Sequence, residues 1–239
     1  VQEVSQLALR KKNELQFIAK KRLLSHLNPK SPIAEQYRTI RTNIQFSNVE
    51  KEMKSIVVTS SSPGEGKSTT VTNLAIVFAQ QEKRVLLVDA DLRKPTIYSA
   101  FRMSNHIGLT NVLTQQSTLQ AAIKTTEVPN LSVLASGPVP PNPAELLGSS
   151  RMKEVLEELY QMYDVILIDT PPVLAVADAQ ILANLCHGIV MVISSGKTKI
   201  EHARKTRDLL SQAKGKLLGA ILNNKRKSDA DLYYYYSSN

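Results

Sequence analysis

Residues 59–69 read TSSSPGEGKST, directly after an apolar run, Ile56-Val57-Val58, and directly before a segment of helical character. A phosphate-binding loop needs this context, because a strand delivers the loop and a helix N-terminus receives the anion. Gly64 and Gly66 let backbone N–H groups approach phosphate oxygens closely, and the first turn of the helix adds the positive end of its dipole. Lys67 is placed to reach the β- and γ-phosphates, and Ser68 to ligate Mg²⁺. The strict pattern wants glycine six residues before the lysine; Ser61 stands there, so this is a variant Walker A. Pro63, Gly64, Glu65, Gly66, Lys67, Ser68 and Thr69 form the expected nucleotide cradle.

Outward from the loop, short apolar runs alternate with helical stretches. Ile56–Thr59, Val85–Asp89, Leu131–Leu134, Val165–Asp169, Gly188–Ile193 and Leu217–Leu222 read as strands, and Thr69–Gln81 and Met152–Met162 as helices between them. Several of the strands are apolar throughout, as expected where both faces are covered. The alternation predicts an α/β fold: a doubly wound, mostly parallel sheet flanked by helices, of the P-loop NTPase kind. Ligands in such sheets sit at the carboxyl ends of the strands, so the residues that follow each strand matter most.

Two of those strand ends are acidic. Asp169 closes Val165-Ile166-Leu167-Ile168 as a Walker B aspartate does, ready to hold the Mg²⁺ shell, and Thr170-Pro171-Pro172 then turns the chain. Asp89 and Asp91 end the run Val85-Leu86-Leu87-Val88, two residues apart and thus on one side of an extended strand. Two acids beside a phosphate loop suit metal binding and deprotonation of an incoming hydroxyl. Asn223, at the end of the last strand, is placed either near a bound adenine or in a structural turn.

The rest of the 239 residues bounds the answer. This length fills one α/β domain. No apolar run approaches the roughly 18–20 residues that span a bilayer, and no signal-peptide pattern is read after Val1. The lone cysteine, Cys186, permits no internal disulfide, and the four scattered histidines suggest no zinc site. The formal charge of +9 attracts anions of any kind, with clusters at Arg10-Lys11-Lys12, Lys20-Lys21-Arg22 and Lys225-Arg226-Lys227. Nucleic acid is not expected, since net charge alone supports it and no aromatic stacking platform does. The reading divides the chain into a basic N-terminal arm at 1–30, a P-loop domain at 31–224 and a flexible tyrosine-rich tail at 225–239. Asn28-Pro29-Lys30-Ser31-Pro32 separates the arm from a helix at Ile33–Phe46.

SSPGEGKST, LLVDADLRKP and ILIDTPP, in this order, resemble the motifs of the bacterial tyrosine kinases of Gram-positive capsule and exopolysaccharide systems, P-loop proteins related to MinD/ParA-type ATPases. The proline-rich GPVPPNPAELLGS at 137–149 is similar to that family too, as are the E-x-x-R-x-x-R pattern of Glu35, Arg38 and Arg41 and the closing Tyr233-Tyr234-Tyr235-Tyr236. The resemblance covers about residues 31–239. It implies a cytoplasmic, ATP- and Mg²⁺-dependent protein-tyrosine kinase, with Lys67, Asp89 and Asp91 catalytic and Ser68, Asp89 and Asp169 on the metal. It implies autophosphorylation in trans of the four tail tyrosines, other proteins with tyrosine as further substrates, and control of capsular or exopolysaccharide synthesis. It implies subunit contacts through Glu35, Arg38 and Arg41 in a homo-oligomeric ring, an octamer, and activation by a membrane-embedded partner of the polysaccharide co-polymerase type. That partner would hold the kinase at the inner face of the plasma membrane. The rival expectation is a MinD/ParA-like ATPase that switches partners without tyrosine transfer. Those proteins carry an extra lysine early in the loop, where Ser62 stands here.

Overall fold

The computed structural model describes residues 23–47 and 53–225. Residues 1–22 of the expected arm, and the tail from residue 226 with Tyr233, Tyr234, Tyr235 and Tyr236, lie outside the described residues.

In chain order the elements begin with α1 (Leu24–Leu27), α2 (Pro32–Phe46), β1 (Ser55–Ser60), α3 (Lys67–Ala79), β2 (Val85–Asp89) and α4 (Ile97–Ala100). Then come α5 (Leu109–Leu113), α6 (Leu119–Ala122), β3 (Ile123–Thr125), β4 (Leu131–Leu134), α7 (Pro143–Leu147) and α8 (Ser150–Met162). The chain closes with β5 (Val165–Asp169), α9 (Asp178–Ala183), β6 (Gly188–Ser194), α10 (Ile200–Ser211) and β7 (Lys216–Asn223). The expected strands and helices stand at their places to within two residues. Helix α2 starts at Pro32 because Ser31, in an extended conformation, accepts from Ala34 N with its side chain, and proline suits the first helical position.

The strands form a seven-stranded sheet in the order β3-β4-β2-β5-β1-β6-β7. Each neighbouring pair is parallel except β3, which pairs antiparallel to β4 at one edge. The chain steps outward from β1 to β2 over a gap that β5 fills later. Asp169 is therefore paired in register both with Asp89 on β2 and with Val58 on β1. This interleaving puts both acidic strand ends beside the phosphate loop.

Alternating side chains of the buried strands feed two cores. Ile56, Val58, Leu87, Val133 and Leu167 pack with α2 and α3 on one face. Val57, Leu86, Val88, Ile166 and Ile168 pack with α5, α8 and α9 on the other. Helix α3 is buried along nearly its whole length, so its first turn is held firmly under the loop. Residues just before Asn28 are part of this packing: Leu23 is buried in the α2–α3 core, and Ser25 N donates to Asn73 Oδ1 at 2.8 Å. A short amphipathic segment with one leucine inside thus joins the domain upstream of the Pro29 break. Among the described residues no helix is long and apolar enough to cross a membrane.

Candidate active site

The phosphate loop takes its shape from two left-handed glycines, Gly64 at φ 74° and Gly66 at φ 93°. At Gly66 the requirement is double, since a Cβ would also collide with the side-chain amide of Asn223. Lys67 then opens α3, with Ser68 and Thr69 in its first turn. The Lys67 ammonium lies 3.1 Å from Asp91 Oδ2, 3.9 Å from Asp169 Oδ1 and 3.4 Å from Ser68 Oγ. Burial works against this charge, but Asp169 and Asp91 outweigh it and the ammonium is held above its ordinary pKa.

Around that cation three acids converge. Asp89 is fully buried and accepts from Thr96 N at 3.0 Å and Ile97 N at 2.9 Å through Oδ2, while its Oδ1 has no hydrogen-bond partner among the described residues. Burial first, and then the charge of Asp169, push the Asp89 carboxyl up to about 8; the two backbone donors pull the other way. Asp91 accepts from Lys94 N at 3.0 Å through Oδ1, which curls the chain after β2 into a turn. Asp169 is fully buried between the other two strand ends. Two buried acids side by side, a third nearby and one ammonium leave an excess of negative charge. A divalent cation fits that excess, and the unpartnered Asp89 Oδ1 is an oxygen available to it.

The remaining loop residues are braced by the structure behind them. The Glu65 carboxylate is buried and turned away from the cradle, accepting from Ser61 N at 3.0 Å and from Thr198 Oγ1 at 2.7 Å. Pro63 has no N–H to offer; its carbonyl and that of Gly64 accept from Lys197 Nζ at 3.2 and 3.0 Å. Asn223 Nδ2 donates to Glu65 O at 3.0 Å, so that side chain braces the loop. Thr206 Oγ1 on α10 donates to Ser61 Oγ at 3.0 Å. The loop is thus tied from behind to β6, α10 and β7.

Several of these partners were not legible in the sequence. Lys197, Thr198 and Thr206 belong to the loop and helix after β6, and no motif marks them. Arg93 grips the buried carboxylate of Asp178 at the start of α9 with two bonds of 2.9 and 3.0 Å, fixing the loop after β2 to the loop after β5. The spacing Asp89-x-Asp91-x-Arg93 was the one available signal for it.

Away from the cradle, Glu35 and Arg38 pair with each other on α2, and Arg38 Nη2 donates to Pro29 O at 2.8 Å. Arg41 Nη1 donates to Val77 O at 2.7 Å near the end of α3. Within one chain these residues therefore fasten α2 to its neighbours. Glu35 also keeps much of its side chain exposed, at 57%.

With this geometry in hand, comparison with known proteins is direct. The family model of the AAA domain matches residues 53–197. The tyrosine-protein kinase YwqD of Bacillus subtilis (strain 168) is 53% identical over 232 residues, 97% of each chain. Among solved structures, the chimerical protein CapA2B2 superposes with a TM-score of 0.84 at 42% identity, covering 86% of this chain and 91% of that one. The kinase domain of the Escherichia coli tyrosine kinase ETK gives 0.82 at 35% identity, covering 86% and 82%. At 53% identity to YwqD over nearly the whole of both chains, the chain belongs to the bacterial tyrosine-protein kinases, within the wider class of AAA-type P-loop domains.

Proposed function

We propose that the chain uses Mg·ATP to phosphorylate protein tyrosines, first of all Tyr233 to Tyr236 in the tail of another copy, and thereby regulates capsular or exopolysaccharide synthesis. The observation that carries this reading is the gathering of Lys67, Asp89, Asp91 and Asp169 within reach of one another at the mouth of the phosphate loop. A magnesium ion held by Ser68, Asp89 and Asp169 would neutralise charge on the phosphates and draw electron density from the transferring group.

The chain's own groups divide the remaining work. Backbone N–H groups from Gly64 to Thr69, Lys67 among them, cradle the phosphates, and the Lys67 ammonium turns from Asp91 to the β- and γ-oxygens. Asp89 and Asp169, neighbours across two paired strands, share the metal side. Asp91 lies beyond the strand end and is the group proposed to receive the tyrosine proton. A carboxylate is a weak base for a phenol of pKa about 10, so orientation and nearby positive charge carry much of that step. Asn223 secures the loop on the side where the base of the nucleotide would rest.

Glu35, Arg38 and Arg41 are proposed to lie at contacts between copies in a ring, an octamer by family resemblance. The partly exposed Glu35–Arg38 pair is the one best placed to exchange partners with a neighbour. A membrane-embedded activator of the polysaccharide co-polymerase type would hold the kinase at the inner membrane face. The segment before Leu23 and the tail after Asn224 flank the catalytic domain as basic arm and acceptor.

Phosphosite mapping of wild type and Lys67→Met with Mg·ATP, alone and with a cytoplasmic fragment of the membrane partner, tests the reading. Phosphate on the tail tyrosines of wild type but not of Lys67→Met is the expected result. An unmodified wild-type tail alongside intact phosphate release would replace the kinase by a partner-switching ATPase.

A further inference from the structure

We propose that Lys197 is a second lysine of the phosphate site, one that clasps the loop from outside and so aims and strengthens the N–H groups that receive the nucleotide's phosphates; this role rests on the nucleotide-binding reading above, whatever group the phosphate is transferred to. Lys197 Nζ donates to Pro63 O at 3.2 Å and to Gly64 O at 3.0 Å. No peptide bond among the described residues is cis, so each of these carbonyls points opposite to the N–H of its own peptide plane. With Pro63 O and Gly64 O held on the Lys197 side, the N–H groups of Gly64 and Glu65 face the other way. Successive N–H groups sharing one side around a left-handed residue make an anion-binding concavity, and Gly64 at φ 74° is that residue. The ammonium also draws electron density toward the two oxygens, which makes the N–H at the far end of each amide a better donor.

The surroundings are built for this contact. A Cβ at position 64 would lie 2.7 Å from Lys197 Nζ, so the glycine makes room for the ammonium as well as for the left-handed turn. The backbone that carries Lys197 is closed on itself at the end of β6. Lys197 N and Thr198 N both donate to Ser194 O, at 3.1 and 2.9 Å, and Ser194 N donates to Thr198 Oγ1 at 2.8 Å. The same Thr198 hydroxyl donates to Glu65 Oε1, so the turn is bonded to the loop at the residue next to the clasped carbonyls. Lys197 forms no ion pair among the described residues, and no carboxylate there competes with the carbonyls for its charge. The side chain is exposed, and water screens part of its effect. Lys197 is therefore a positioning residue, acting on the phosphates through the loop backbone, where Lys67 reaches them directly.

The test is titration of the full chain with fluorescently labelled ADP and Mg²⁺, which is independent of phosphate transfer. Lys197→Met is expected to weaken binding about tenfold, with the thermal midpoint of the nucleotide-free protein unchanged. Lys197→Arg should return to within about threefold of wild type, since a guanidinium also offers two N–H groups to the carbonyls. Lys199→Met removes the same charge from an exposed position two residues on and should stay within about twofold of wild type. In turnover, Lys197→Met should raise the KM for ATP while kcat holds within about threefold, because the loop donors grip the phosphates both before and during transfer. Unchanged affinity in Lys197→Met, no recovery in Lys197→Arg, or an equal loss in Lys199→Met overturns the clasp. Wild type that binds no Mg·ADP overturns the nucleotide reading, and the clasp with it. The expected affinities without any tyrosine phosphorylation by the activated wild type overturn the kinase reading and leave the clasp standing.

Discussion

The two ends of the central strands solve the same problem in opposite ways. At the amino ends, where β1 and β6 begin, Ser55 Oγ sits 2.8 Å from both Tyr160 OH and His187 Nδ1 and accepts from His187 N at 3.1 Å. Lys54 Nζ donates to Tyr160 O at 3.2 Å, and burial pushes the Cys186 thiol and the Tyr160 hydroxyl up to about 12, so both stay neutral. Polar groups there answer one another, with the Lys54 ammonium the charged group among them. At the carboxyl ends, Asp89, Asp91 and Asp169 crowd one ammonium. Burying like charges is costly unless something neutralises them. One end of the sheet is thus built for stability, while the other holds an excess of negative charge that a divalent cation would offset.

The sharpest way to break this contrast is to remove the ammonium. Lys67→Met is expected to lower the rate of tyrosine phosphorylation by at least about 100-fold, measured with Mg·ATP and activator. Asp169→Asn should lose activity on the same scale of about 100-fold or more. The amino-end counterpart, Ser55→Ala, should do the reverse. It should cost about 1–2 kcal/mol of stability by orphaning buried hydrogen-bonding groups, with kcat unchanged.

A finer probe is pH. The folded Asp89 carboxyl sits at about 8 against an ordinary value of 3.8. The folded state therefore holds the extra proton between these values, and stability falls as pH rises through that window. Thermal midpoints of metal-free protein should decline from about pH 4 to about pH 8 relative to Asp89→Asn, and magnesium with nucleotide should flatten the slope. A flat wild-type profile without metal would contradict the crowded-charge account. The smallest effect is expected from Asp178→Asn. It weakens the Arg93 fork and should slow turnover less than about tenfold, since Arg93 is partly solvated.

How much of this was legible beforehand follows from where the signals lie. Glycines that need left-handed backbone, a lysine after them and an acid closing an apolar run are local signals, and each landed on the cradle. The central strands were readable because covered strands are apolar throughout, and β7 as an apolar run although much of it is exposed. The edge strand β3 was not, since Ile123-Lys124-Thr125 is three residues with one apolar side chain. The short helices between Thr96 and Ala122 were also missed, because four or five residues give no periodicity to read. The bracing of the loop by Glu65, Thr198, Lys197 and Thr206 joins positions more than 130 residues apart, a separation no spacing rule reaches.

The sequence by itself determined the phosphate loop, the parallel sheet and the identity of the three acids, because left-handed glycines, apolar strand runs and carboxyl side chains are read from single residues and their sequence neighbours. The tertiary structure alone decided that those acids meet. Only when β5 inserts between β1 and β2 does Asp169 come to lie beside Asp89 and near Lys67, and strand order is set by long-range packing rather than by any local pattern.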